Sequence, residues 1–384
     1  MPQVTATAAN GLAWSASSSP DNPGFDSNTR YKHPKVELDL LLTLFDFGLR
    51  SATASSARAS LAAAYALRDD ATREVFMQTA QSFYELQKAI ETVKASLKME
   101  ASATQLRDAV DGRYKGGAAS QTELLQSESS LSEMELKRVM AEGDAETAKG
   151  SLAILLNMDA DTQYDIAVTE SKVEVADFES VSEFIKAALL NDPKLGAAAA
   201  SLRSSEADLA AARAKDLPTI SLQATRDLVG QTYVGQNTFS VYQNPSSNTQ
   251  HVNEVELQIT VPLTNFATRA YRIQSAEATV QTKALDYEST KQQVTLAVWG
   301  AFQKLRVNTF AYESLTHSVE VATKLYNVVE GRYSAGAGSI TDVLTAQRDL
   351  ADARIKQVSA AFDLRVSRIA LLANVGQIVP QDVD

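Results

Sequence analysis

The sequence predicts a mainly α fold with a smaller β component: long antiparallel helical hairpins in a tandem internal repeat, each hairpin preceded by two strands. Three observations predict it. The stretch GRYKGGAASQTELL at 112–125 recurs as GRYSAGAGSITDVL at 331–344, identical at eight of fourteen positions. About 65 residues free of proline and turn clusters precede each copy. Ahead of each long run lies a short segment in which apolar residues alternate with polar ones, the period of a half-covered strand. A repeat of this length implies a repeated architecture.

Composition narrows the class. The net charge of −11 argues against nucleic acid as a partner, because phosphate binding asks for a basic surface. Cysteine is absent, which removes disulfides, thiolate metal sites and a cysteine nucleophile. No run of 18 apolar residues exists, so no membrane-spanning helix is expected; barrel strands carry a much weaker signal and stay open. No leader pattern is visible at Met1-Pro2-Gln3-Val4.

The elements follow in order. Residues 2–18 alternate loosely, with Val4, Ala6 and Ala8 opposite Thr5 and Thr7. A Ser/Asn/Asp/Pro-rich stretch to about Pro34 reads as a loop. In 35–47, Leu38, Leu40, Leu42 and Leu44 share one face and Glu37, Asp39 and Thr43 the other, with Leu41 as the exception. The hairpin 48–157 follows; a helix of about 65 residues would reach about 100 Å and needs neighbours to sustain it. A mixed linker spans 158–177, with strand-like alternation at 164–168 and 172–175. The second unit, 178–376, opens with helices over 181–214, broken at Asn191-Asp192-Pro193. Strands are expected over 218–242 and 251–266, where Leu257, Ile259, Val261 and Leu263 face away from Glu256, Gln258 and Thr260. The hairpin 267–374 carries the stripe Leu315, Val319, Ala322, Tyr326, Val329, Tyr333, stepping by four and three like a heptad seam. Residues 377–384 form a tail.

The halves align without a gap at an offset of 219: Val36 with Val255, Phe47 with Phe266, Arg50 with Arg269, Phe83 with Phe302, Tyr114 with Tyr333. Only the second half has a helix pair before its first strand. The repeat therefore predicts that such a pair is missing ahead of residue 1, through truncation or a late start, together with any leader or lipidated cysteine.

These features resemble the TolC-like outer membrane efflux proteins, the outer-membrane factors of tripartite pumps and type I secretion systems. The resemblance covers essentially the whole chain. It rests on the duplicated Arg-Tyr-x-x-Gly-x-x-Ser-x-Thr-Asp/Glu stretch, Leu44-Phe-Asp-Phe-Gly48, Asn191-Asp192-Pro193 and Leu217-Pro218. It implies a homotrimer in the outer membrane whose chains each give four strands to a shared twelve-stranded β-barrel. The helical hairpins would form an α-barrel tunnel across the periplasm. The implied partners are a periplasmic adaptor, an inner-membrane pump and outer-membrane lipid. Without the resemblance, the strand pattern favours one strand pair of a soluble sandwich over a barrel, and the resemblance reverses that order; the rival functions are a soluble helical scaffold or an adaptor without channel activity.

The resemblance assigns roles by residue. Leu38, Leu40, Leu42, Leu44, Leu257, Ile259, Val261 and Leu263 would face lipid, with Glu37, Asp39, Glu256, Gln258 and Thr260 toward the lumen. Trp14, Phe45, Phe47, Tyr233, Tyr242 and Phe266 are candidates for the interfacial aromatics. Each Gly/Ala-rich break becomes the tip of a hairpin. There Asp342 and Glu123 would ring the gate, with Tyr333 linking neighbouring helices; the plainer reading is that both acids cap helix N-termini. Arg113, Gly117, Ala118, Ser120, Arg332, Gly336, Ala337, Gly338 and Ser339 would meet the adaptor. Some relatives carry an arginine that ties the closed tip; Gly338 stands at that position, so this tie is expected to be absent. No catalytic signature, cofactor motif or metal site is legible. His33, His251 and His317 are far apart in sequence and read as surface residues, and Lys115–Ser120 lacks the ending of a phosphate loop.

Overall fold

The computed structural model describes residues 2–17, 27–166, 180–233, 247–263 and 266–376. The elements run β1 (Gln3–Ser17), β2 (Ser27–Phe45), α1 (Leu49–Lys115), α2 (Gln121–Leu155), α3 (Val181–Asn191), α4 (Pro193–Ala214), β3 (Thr219–Tyr233), β4 (Ser247–Thr260), α5 (Phe266–Ser334) and α6 (Ile340–Val375). Among the described residues no helix is long and apolar enough to cross a membrane; that criterion does not bear on strands. Tyr242, most of the linker from 167 to 179 and the tail 377–384 lie outside the described residues.

The chain divides into two compact units, each drawing on both sequence repeats. One comprises Met1–Leu61 and Ala200–Ala284. Its centre is an antiparallel sheet in the order β1-β2-β3-β4. β2 begins eight residues earlier than the pattern at 35–47 suggests, because it pairs with β1 along the whole length of that strand, from Leu41 opposite Gln3 to Ser27 opposite Ser17. Ladder pairing overrides the loop-like composition of 27–34. Pro34, which has no amide hydrogen, falls where the β2–β3 ladder skips between Lys32 and Lys35. A Cβ on Gly230 would lie 3.0 Å from its ring, so glycine makes room for it.

The register sorts the side chains. Val4, Leu40, Ala224 and Val255 form one cross-strand row, and Leu42, Leu222 and Leu257 another; Ile220 stands opposite Ile259. Arg226, between Leu38 and Asn253, interrupts this apolar face. The other face carries Glu37 directly opposite Asp227. The Lys35 amine bridges the two carboxylates, at 2.9 and 3.7 Å. Thr225 donates to Asp39 at 2.8 Å. Apolar residues stand open on this sheet: Leu38, Leu257 and Ile259 are 46%, 63% and 62% exposed, and Glu256 and Gln258 on the other face of β4 are exposed as well. A sheet in water covers its apolar face.

Two details differ from the sequence reading. The β2–β3 register shifts between Thr43 and Phe45, so Phe45 rather than Leu44 stands opposite Ile220; a bulge adds one residue and breaks strict alternation. β4 stops at Thr260, so Val261 and Leu263, though exposed, lie beyond the ladder.

The turn from β2 into α1 is built on Asp46. Its carboxylate accepts from the amides of Gly48 (3.2 Å) and Arg50 (3.1 Å) and from the Arg50 guanidinium (2.7 Å). Burial pushes the Asp46 carboxyl upward, but these bonds and the Arg50 charge outweigh it and hold it below the usual carboxylate range. Phe47 and Gly48 adopt left-handed backbone, φ 52° and 86°, to make the corner. Nearby, Ser56 and Ser60 of α1 meet Ser204 of α4, and Arg213 of α4 pairs with Glu277 of α5.

The second unit comprises Ala62–Ala199 and Leu285–Asp384. A cluster of Val294, Val298, Phe302, Leu305, Leu364, Leu371 and Val375 is closed by Ala188 of α3. Met99 and Ala103 of α1, Met134 of α2 and Ala351 of α6 form another. Asp192 caps α4 through the Leu195 amide (3.1 Å), with Pro193 at the first helical position. Its other oxygen binds the Arg73 guanidinium at 2.8 Å. Arg73 also binds Asp70 (2.6 Å) and the Ala373 carbonyl in the last turn of α6 (3.3 Å). One arginine thus joins α1, the α3–α4 corner and the end of α6.

Candidate functional site: the paired helical tips

Both duplicated stretches are helix-to-helix turns in the second unit, and their backbones match bond for bond. In the first, the amides of Gly116, Gly117 and Ala118 donate to the carbonyls of Gly112, Tyr114 and Arg113; in the second, Ala335, Gly336 and Ala337 donate to Gly331, Tyr333 and Arg332. Gly117 and Gly336 have φ of 73° and 78°, the left-handed conformation of a Schellman C-cap. The offset of 219 holds at every bond. Of the two glycines that the copies share, the second, Gly117 and Gly336, is therefore the residue that stops the helix.

The caps that start the return helices are not equivalent. Ser120 accepts from the Glu123 amide at 3.2 Å, and the Glu123 carboxylate accepts from the Ser120 amide at 2.6 Å, a closed capping box. Ser339 accepts from the Thr341 amide at 3.2 Å, but Asp342 does not reach back. Aspartate is one methylene shorter than glutamate. Asp342 is exposed and has no hydrogen bond or ion pair among the described residues.

Beneath the turns, Leu106 and Val110 of α1 pack with Tyr326 and Tyr333 of α5 and with Ile340, Val343, Ala346 and Leu350 of α6. Polar contacts cross this core. Ser102 of α1 lies 3.3 Å from the Tyr326 hydroxyl and accepts from the Gln347 amide of α6 at the same distance. The Arg113 guanidinium donates to the Tyr333 carbonyl at 2.8 Å and sits 4.6 Å from the centre of that residue's ring. Tyr333 is 4% exposed, whereas its repeat counterpart Tyr114 is 40% exposed. Burial, then the Glu123 charge, push the Tyr333 phenol up, so it stays neutral. Its hydroxyl is buried and has no partner among the described residues.

Of the residues expected to meet an adaptor, Gly117, Ala118, Ser120, Arg332, Gly336, Ala337 and Ser339 are exposed. Arg113 is half-buried and occupied within its own chain. Gly338 has a packing reason: a Cβ there would lie 3.0 Å from the Tyr333 nitrogen and 3.2 Å from the Arg332 carbonyl carbon. The matching position of the first turn, Ala119, carries a Cβ on an equivalent backbone, so a Cβ at 338 asks the end of α5 to give by a few tenths of an ångström. The Arg113–Tyr333 contact had no signal in the sequence, since it depends on which helices become neighbours.

An open apolar sheet face, two long hairpins and matched small-residue tips define a channel-forming outer-membrane protein. The chain belongs to the outer membrane efflux protein family, whose model matches residues 1–158 and 184–377. Protein CyaE of Bordetella pertussis is 26% identical over 349 residues, covering 91% of this chain and 72% of that protein. Among solved structures, the outer-membrane channel OprN superposes with a TM-score of 0.77 at 17% identity, over 98% of this chain and 82% of its own. The outer membrane protein VceC of Vibrio cholerae superposes at 0.78 with 16% identity, over 97% and 87%. The fold is that of these channels, with four strands per chain. The protein is an efflux or secretion channel of the Gram-negative outer membrane, reaching into the periplasm. Its family and fold are those of channel proteins rather than enzymes.

Proposed function

We propose that the chain is one third of a homotrimeric exit duct that conducts passively and closes at its tips. Among the described residues, β1 and β4 each lack a neighbour on their outer edge. Unpaired amides and carbonyls in hydrocarbon cost several kcal/mol each. Pairing β4 of one copy with β1 of the next removes every such edge, and three copies make a twelve-stranded barrel. Leu38, Leu40, Leu42, Leu257 and Ile259 then face lipid, with Leu44, Val261 and Leu263 flanking the ladder, and the carboxylate face lines the lumen. The sequence repeats, 1–157 and 178–376, supply equivalent hairpins to the tunnel wall. The exposed glycines and alanines of the tips admit a helical hairpin of a periplasmic adaptor, which couples the duct to an inner-membrane pump. The family resemblance supports that assignment of partners, and the proposal gives the chain no catalytic role and no cofactor.

The gate reading rests on one observation: Asp342 is the tip carboxylate left unengaged, while Glu123 is held in its capping box. Threefold repetition turns Asp342 into a ring that attracts cations and strains closure by like-charge repulsion. Glu123 becomes a structural cap whose charge acts on Tyr333. In planar bilayers, Asp342→Asn is expected to raise conductance and weaken block by divalent cations, with Glu123→Gln much less effective. Unchanged conductance and block in Asp342→Asn would remove the assignment.

A further inference from the structure

We infer that the lipid-facing side of the sheet holds a site for the phosphate of an outer-leaflet lipid, built from Arg226, Asn253 and His251 with Lys32 above them. This rests on the orientation proposed above, apolar face to lipid. The strands sort charge by sign. All five carboxylates of β1–β4, Glu37, Asp39, Asp227, Glu254 and Glu256, stand on one face. Arg226 and Lys32 stand on the other, which carries none. Both are exposed and have no hydrogen bond or ion pair among the described residues. Lys35, on the acidic face, is by contrast held between Glu37 and Asp227.

Register brings the polar groups together. Arg226 stands directly opposite Asn253, and the next residue of β4 on that face is His251, opposite Leu228. Such a cross-strand diagonal is about 7 Å, within an arginine's reach. The guanidinium offers a phosphate two parallel donors, and the Asn253 amide and His251 ring add one each. Toward the helices the face is apolar, through Leu40, Ala224 and Val255 and then Leu222 and Leu257, a bed for acyl chains. The helices join the strands at Phe45, Thr219 and Thr260, so depth counts from that end. At about 3.4 Å per residue and about 40° of tilt, the Arg226 backbone lies roughly 16 Å beyond that of Ile220, inside an apolar band about 25 Å tall. By the same count Lys32, opposite Thr232, lies roughly 31 Å along, past the band. An arginine at the depth of Arg226 is costly without a counter-charge, and its long stem carries the guanidinium toward the headgroups. The protein puts no carboxylate on that face of the sheet; a lipid phosphate supplies the charge, and its chains cover the leucines below.

Native mass spectrometry of the purified full chain in neutral detergent tests this, with lipid A carrying both its phosphates as probe. Phosphate-free lipid A and inorganic phosphate are the comparisons. Wild type is expected to retain the phosphorylated lipid and release the phosphate-free one. Arg226→Leu completes the apolar face, so it should assemble, and its retention of the phosphorylated lipid is expected to weaken roughly tenfold. Arg226→Gln provides the same reading should the leucine variant not form trimers. Retention by these variants equal to wild type overturns the site, and so does retention by wild type that ignores the phosphates. Displacement of the lipid by an equal concentration of inorganic phosphate makes this a free-anion site and overturns the lipid assignment. If Arg226→Leu instead shifts the reversal potential in planar bilayers, this face lines the lumen, and the orientation fails rather than the lipid site alone.

Discussion

At the scale of single residues, the tips show how much one side chain decides. Gly117 and Gly336 share a left-handed backbone that any Cβ would strain. Gly336→Ala is expected to cost about 1 kcal/mol, read as a lower trimer dissociation temperature. The matching Gly331→Ala, where a Cβ meets nothing within 4 Å, should leave that temperature unchanged or higher. The role of these glycines was legible, because a glycine just past a helical pattern signals a C-cap. The capping box was legible too, since Ser120-Gln-Thr-Glu123 spells it. The division of labour between Glu123 and Asp342 was not. Both stand three residues past a serine, and only the reach of the longer side chain separates them.

Among the elements, the hairpins were legible from their lengths and seams, and the strand limits were not. Composition suggested a loop over 27–34, where pairing with β1, from Ser27 opposite Ser17 to Pro34 opposite Asn10, imposes a strand. The Asn191-Asp192-Pro193 corner was visible as a helix break, but its partner Arg73 lies 119 residues earlier. That side chain and Asp192 are only 15% and 5% exposed. Arg73→Met leaves the carboxylate buried and unpaired, which is expected to cost about 3 kcal/mol. Asp192→Asn keeps an oxygen for the α4 cap and should lose less, an order that denaturant titration in detergent can check. At the β2–α1 corner the depressed Asp46 carboxyl contributes stability above its unfolded pKa. That contribution is lost as pH falls through the lower folded value. Asp46→Asn is therefore expected to flatten the acid limb of the stability profile below about pH 4, the ordinary aspartate range.

For the molecule as a whole, the proposal with the widest consequence is an inside-out sheet. Its alternation was plain in the sequence, yet alternation alone does not say which face meets water. The proposed orientation, apolar face to lipid, rests on the family match and on the apolar residues left open. Substitutions on the two faces should therefore behave oppositely. Leu257→Arg places a charge toward lipid, at a cost of about 2–4 kcal/mol near the bilayer midplane, and is expected to abolish outer-membrane assembly. Gln258→Lys, one residue on, should assemble and change only ion selectivity. Heat-modifiable migration on a gel reports assembly, and reversal potential reports selectivity.

The two unlike edges of the sheet have a genetic consequence. If β4 of each copy must meet β1 of the next, a chain defective at one edge still joins a ring through its sound edge and spoils it. A cell expressing equal amounts of sound and edge-defective chains would keep only about one eighth of its rings intact. Loss of one edge should thus act as a dominant trait, while complete loss of the chain acts as a recessive one.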